Sequence, residues 1–522
     1  MLNYNFDLRR TLCEATVDRA IRDIQRDTKR SLRNLVDLGL NFTANGRLFH
    51  SVLEAVRDLL SDEQSAYFET VQTVLQTVDT DTIKTFGLNM GLEGCTRGAR
   101  KIRELEDAGG FNIPWALTIC AGDDAVGLAD CQRLVEQGTE LGIFVYLLLD
   151  HGMNVEALRQ LASANPRCAF VVLSRELCAQ EENTAHLSDL HNVLFLIDAD
   201  SPEKIPSLRN LRSARCLYGL YRWYDAATAC DVTDDDALDA YREGGPVFLC
   251  LIPKPGTPTE ICRHVGGRTA ALRKSRLYPY CPMELSGDLL AVDTAISDDG
   301  CSVAILPDGQ ISTLGRGNLS GPEFSIYHHG LEELLRRPAP KQPAEDGGGI
   351  LAESNLTQRA LAGAMKELMA HRPFAKINVG DICELCNMNR KSFYYHFRDK
   401  YDLVNWIFQN EFLSVLQDAE TMDYWQIVDL LCSYFYENRA FYNNALSVTG
   451  QNSFSEYFQE CITPVIRATL AGSLRVGDSD AEFVTEFFGD AFTVSIMRWL
   501  SSRNCMEPQE FTRLLRLCLG SR

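Results

Sequence analysis

Between Arg390 and His396, six of seven side chains are cationic or hydrogen-bonding: Arg390, Lys391, Ser392, Tyr394, Tyr395 and His396. Cations of this kind bind phosphate oxygens, and hydroxyl, phenol and imidazole groups offer donors and acceptors to base edges. The chemistry the stretch suits is therefore recognition of a polyanion, with no bond making or breaking. Phe393 and Phe397, four apart, share one face of a helix and turn inward, which leaves the polar set outside. Tyr394 and Tyr395 cannot both join them, so at least one phenol is expected at the surface.

A second polar group lies upstream. Short apolar runs, "IPWALTIC", "IFVYLLLD", "CAFVVLS", "NVLFLID", "CLYGLYRWY" and "PVFLCLIP", recur through residues 111–255 with helical stretches between them. Continuous apolar runs joined by helices indicate a parallel sheet covered on both faces. Asp123, Asp150, His151, Arg175, Asp198, Arg222 and Lys254 follow the runs, where parallel β/α folds open their ligand mouth, so these residues form a candidate small-molecule pocket. Loops must be polar in any case, which is the competing explanation. Cys383-x2-Cys386 lies within a helix with no second pair nearby and reads as core, so no metal site is expected. No nucleophile–base motif stands out, and no catalytic residue is assigned.

The elements that hold the first group are legible. In "KINVGDICELC", Asn378 caps a helix and Asp381 stands at its third position. Asn387 tolerates the left-handed conformation of a sharp turn, Met388 plugs it, and Asn389 caps the next helix. Asp399 and Asp402 repeat the capping pattern ahead of Leu403, Trp406 and Ile407. Two helices joined by a three-residue turn, the second bearing cations and aromatics, describe a helix-turn-helix. Between Asn355 and Ile407 there are eight cations and five acids, about +3 on a chain whose net charge is −20. The acidic whole argues against bulk nucleic-acid or membrane-surface binding and places any DNA contact on a local basic face.

The rest of the chain divides around "RRPAPKQPAEDGGG", residues 336–349, whose prolines and glycines suit a linker. The expected order is a helical N-terminal region over 1–108, an α/β domain, a partial or full β/α barrel, over 109–335, and the linker over 336–353. A helix-turn-helix over 354–408 and a helical dimerisation and ligand-binding domain over 409–522 complete it. Arg22, Arg26, Lys29, Arg30 and Arg33 interleave with Asp23, Asp27 and Asp37, which suggests a solvated helix face in the first region. "PDGQ" predicts a hairpin near 307–310. In the last region Phe483, Phe487, Phe488, Phe492, Ile496 and Trp499 suggest one wide apolar stripe. The 18 cysteines read as reduced, buried thiols, and with neither an export signal nor a long apolar run the chain is expected in the cytoplasm, at the nucleoid, and not in a membrane.

"FAKINVGDICELCNMNRKSFYYHFRDKYDL" resembles the TetR family of transcriptional regulators. That resemblance implies an all-α fold in which Asn389, Arg390, Lys391, Ser392, Tyr394, Tyr395 and His396 form the recognition helix and Lys400 clamps a phosphate. Asn387 stands where the family usually has Gly. The resemblance also implies a double-stranded DNA operator, a homodimer and a small-molecule effector. "NRAFYNNALSVTGQNSF" looks like a subgroup related to activators of dihydroxyacetone utilisation. The strand–helix series with "YPYCP" and "PDGQI" resembles a radical S-adenosylmethionine barrel, yet Cys95, Cys120 and Cys131 are too far apart for a cluster motif. No cofactor is therefore expected. The resulting expectation is a DNA-binding regulator with a fused α/β sensor or docking domain. The alternative is an enzyme, a degenerate barrel acting on a small molecule, fused to an autoregulatory DNA-binding domain.

Overall fold

The computed structural model describes residues 8–42, 47–297, 301–313, 317–337, 356–415, 424–448, 453–471 and 478–518. It forms two compact units, one of residues 1–42 with 349–522 and the other of residues 43–348. The second unit is thus inserted, along the chain, within the first. This grouping departs from a single helical region over 1–108, because only its first part belongs with the C-terminal helices. Of the linker expected over 336–353, Arg336 ends a helix, Leu331–Arg336, and residues 338–353 lie outside the described residues.

The inserted unit is built on one ten-stranded sheet. Its strands are β1 (Ala116–Ala121), β2 (Val145–Asp150), β3 (Ala169–Ser174), β4 (Val193–Asp198), β5 (Leu217–Tyr224), β6 (Phe248–Pro253), β7 (Cys281–Glu284), β8 (Val303–Ile305), β9 (Ile311–Thr313) and β10 (Gly317–Asn318). The order is β10-β9-β8-β1-β2-β3-β4-β5-β6-β7, with β1 to β7 parallel and β8 to β10 an antiparallel margin beyond β1. The order does not close on itself, so the sheet is a curled half-barrel. The six expected runs become β1 to β6, and the seventh parallel strand comes from the short "CPME" segment. The predicted hairpin joins β8 to β9, with Gly309 at φ 77° and Asp308 Oδ1 accepting from Gln310 N at 3.0 Å.

Alternation along the strands separates two apolar faces. Phe170, Val172, Val193, Phe195, Tyr218 and Leu220 belong to the larger core, which includes residues from the flanking helices Leu128–Leu141 and Val155–Ala164. Leu173, Leu194, Leu196, Tyr221, Cys250 and Ile252 belong to a second cluster with Val78 and Phe86. That second face is closed by the helices Tyr67–Thr77 and Thr80–Leu88 through Val74 and Ile83. Each such buried Leu, Ile or Phe contributes about 1.5–3 kcal/mol.

The helical unit comprises α1 (Leu8–Arg26), α2 (Thr28–Phe42), α3 (Leu356–His371), α4 (Val379–Leu385), α5 (Arg390–His396), α6 (Lys400–Val415), α7 (Tyr424–Glu437), α8 (Arg439–Leu446), α9 (Phe454–Ala471), α10 (Asp478–Ser501) and α11 (Pro508–Cys518). α1 packs along α9, and α2 packs against α6 and α5. The basic N-terminal segment is consequently not a solvated face. Arg19 and Arg22 both reach Glu460, at 3.2 and 3.1 Å, Arg33 is buried, and the buried Asp37 accepts from Gln358 Nε2 at 2.9 Å. The apolar stripe on α10 also differs from expectation. Phe492, Ile496 and Trp499 are core, Phe488 is half-buried, and Phe483 and Phe487 are 70% and 58% exposed. A 24-residue helix carrying apolar residues on two faces has a second face left for another surface.

Candidate nucleic-acid interface

The reading head is set by caps. At the start of α4, Asn378 and Asp381 form a reciprocal capping box: Asp381 N donates to Asn378 Oδ1 at 3.1 Å and Asn378 N to Asp381 Oδ2 at 2.9 Å. The turn behind α4 places Asn387 at φ 55°, and Met388 N returns to Cys383 O at 2.8 Å. Asn costs less than most side chains in that left-handed position, which is why it can stand in for Gly. Asn389 Oδ1 then caps α5, accepting from Ser392 N at 2.8 Å and Ser392 Oγ at 3.2 Å. The Cys383 thiol is buried and faces Asn389 O, and burial pushes both Cys383 and Cys386 up, as befits core thiols. Among the described residues no group of three His, Cys, Asp or Glu could hold a metal ion.

α5 has one buried and one open face. Phe393 and Phe397 are fully buried, ring centroids 5.7 Å apart, and Phe397 packs edge-on against Trp406 at 5.6 Å. Asn389, Arg390, Lys391 and Tyr394 are exposed, Tyr394 by 46%. Ser392 and His396 are half-buried, and burial holds the His396 imidazole below its usual range, favouring the neutral ring. The Tyr395 side chain lies outside the described residues. The Arg390 guanidinium lies over Gly380, where a Cβ would come within 2.6 Å of Nη2, so the absent side chain at Gly380 makes room for it.

Lys400 differs from its expected part. Its ammonium donates to Phe374 O at 2.8 Å and Ile377 O at 2.7 Å and lies 4.4 Å from the Phe374 ring centroid. Burial lowers its pKa, and its protons are directed at the carbonyls of the turn before α4. It fixes that turn instead of standing ready for a phosphate. Lys366 is likewise tied to Glu411, at 2.8 Å, and Arg398 to Asp399, at 3.5 Å. The exposed cations beside the reading helix are Arg372, Lys376, Arg390 and Lys391, and among the described residues none of the four makes an ion pair. Lys376, two residues ahead of the Asn378 cap, was legible only as part of a charge count. Its place before a helix N-terminus was the available signal.

The upstream polar group does not converge in this way. Asp150 is buried and accepts from the backbone N–H of Gly152, Met153 and Arg175, at 3.1, 3.0 and 3.2 Å, so it shapes its own loop. Arg222 bonds Asp200 at 2.8 Å and Tyr241 at 2.8 Å, and Lys254 bonds Asp225 at 2.8 Å. Arg175 is exposed, and His151 and Asp198 are half-buried. Asp123 alone of the seven lines a cavity, of about 170 Å³, shared with Gly122, Cys131, Met153 and Asn154. Gly122, at φ 143°, brings the β1 end so close to the backbone of His151 that a Cβ would lie 2.2 Å from its carbonyl oxygen.

Comparison with known proteins falls on the helical unit. Residues 361–407 match the family described as bacterial regulatory proteins, tetR family, and residues 423–519 match a transcriptional regulator C-terminal region of the same kind. The C-terminal third is a TetR-type module. The HTH-type dhaKLM operon transcriptional activator DhaS of Lactococcus lactis subsp. lactis (strain IL1403) is 31% identical over 109 residues. The aligned part is 21% of this chain and 57% of that relative, so the chain spans little more than half the relative's length. A solved dihydroxyacetone kinase operon activator DhaS is 24% identical, with 32% of this chain and 96% of that chain covered and a TM-score of 0.26. A solved anSMEcpe with bound AdoMet and a Cp18Cys peptide is 10% identical, with 43% and 81% covered and a TM-score of 0.29. Among the described residues, no helix is long and apolar enough to cross a membrane.

Proposed function

We propose that the chain is a sequence-specific, DNA-binding transcriptional regulator in which the TetR-type module reads an operator and the inserted α/β unit acts as a sensor or docking element. The observation that carries this reading is the two-sided α5. Its phenylalanines are locked in the core while Arg390, Lys391 and Tyr394 stand open beside Lys376. An α-helix bearing such groups fits the major groove, where Lys and Arg bind guanine edges and phenols or amides reach bases and phosphates. A single head of this size contacts one half-site, so two copies are needed. The open faces of α10 and α11, with Phe487 58% and Leu517 67% exposed, suit pairing between copies.

Selection of genomic fragments by the full chain tests the reading. The expected result is enrichment of a sequence with two related half-sites in inverted orientation. Recovery of no common sequence at any salt concentration would refute it.

A further inference from the structure

Within the helical unit, a cavity of about 220 Å³ separates the α1–α2 hairpin from α6. Asn34 contributes from α2, and Asn405 and Trp406 from α6. Asn405 and Trp406 are only 4% and 6% exposed, yet the Asn405 side-chain oxygen and the Trp406 indole N–H have no hydrogen-bond partner. The buried side-chain oxygen of Asn34 is unpartnered as well. Buried polar groups are nearly always satisfied, so three open ones around one cavity call for an occupant.

The charges at the cavity say what that occupant is. Arg19 pairs with Glu460 at 3.2 Å and lies over the Tyr457 ring at 4.4 Å. Arg26 pairs with Asp23 at 3.9 Å, Arg30 with Asp27 at 3.5 Å, and Arg398 with Asp399 at 3.5 Å. Each pocket arginine already has a carboxylate, so an anion would displace an existing pair. What stays open is neutral: two acceptors and one donor. The volume falls below the ~300–1,000 Å³ of sites that take drug-sized molecules. We propose that this cavity binds a small, uncharged, polyhydroxylated molecule whose hydroxyls donate to Asn34 and Asn405 and accept from the Trp406 indole. The site goes beyond the DNA-binding reading, and its test does not depend on an operator.

The test uses the full chain labelled with 5-fluorotryptophan, in which Trp406→Phe assigns one of the five tryptophan resonances. Glycerol, xylitol and myo-inositol are titrated in turn. At least one should shift the Trp406 signal saturably. Asn405→Leu should weaken that binding about tenfold, the scale of one lost hydrogen bond. Asn34→Leu, on a different helix, should do the same if Asn405→Leu perturbs folding. A linear drift common to all three polyols marks solvent or water filling only and overturns the proposal. Saturable binding with unchanged affinity in both variants overturns it equally.

Discussion

Among the residues of the reading head, Lys400 separates two kinds of basic side chain. A cation at a helix start looks the same in sequence whether it reaches outward to phosphate or inward to carbonyls. Here the turn before α4 presents Phe374 O and Ile377 O to it. Lys400→Met should therefore lower the stability of the helical unit by about 1–3 kcal/mol, the range for charged hydrogen bonds, as measured by urea unfolding. Its effect on the salt dependence of DNA binding should be small. A steep loss of salt dependence at unchanged stability would return Lys400 to the phosphate contacts. The caps at Asn378, Asn387 and Asn389 were legible because each type has a specific backbone use there. Arg390 and Lys391 were legible because Phe393 and Phe397 fix which way α5 must turn.

At the level of elements, the strands announced themselves and the N-terminal hairpin did not. Six apolar runs became β1 to β6, since burial on both faces leaves no alternation to misread. The seventh strand is four residues long, with a proline and a glutamate, and nothing in its composition marks it. In α1 and α2, arginines and aspartates three or four apart give the same pattern on a solvated helix as on one paired across to Glu460. Sequence spacing cannot tell these apart. The α/β unit also holds a titration of its own. Asp293, on the helix Leu285–Ser297, is buried and accepts from Trp115 N at 2.8 Å, and burial pushes its carboxyl up to about 7. The unfolded value is near 3.9. The folded chain thus holds the proton across that window, so this contribution is full below pH about 4 and is lost as pH rises through about 7. Thermal unfolding of the full chain should show the α/β transition falling between pH 5 and pH 8. Asp293→Asn, which keeps an acceptor for Trp115 N, should flatten that dependence. An unchanged slope would move its origin elsewhere.

For the whole molecule, the insertion of one unit within the other changes what counts as a minimal DNA-binding chain. Residues 350–522 carry both TetR-type segments but lack α1 and α2, which cover α6 and α9. Cut at 349, the chain loses the partners of Gln358 and Glu460 and opens Trp406 to water. It should aggregate or unfold at lower urea than a chain in which residues 43–348 are replaced by a flexible linker of roughly twenty residues. Equal stability of the two would show that the hairpin is dispensable. The central claim is that the open face of α5 reads DNA. Its most direct measurement is the affinity of the full chain for its selected site, against Lys391→Ala and Tyr394→Ala, over a range of salt. Each variant should lose about 1–3 kcal/mol on the selected site if its side chain reaches a base, with little change on unrelated DNA. Unchanged affinity in both variants, with the fold intact, would contradict the account.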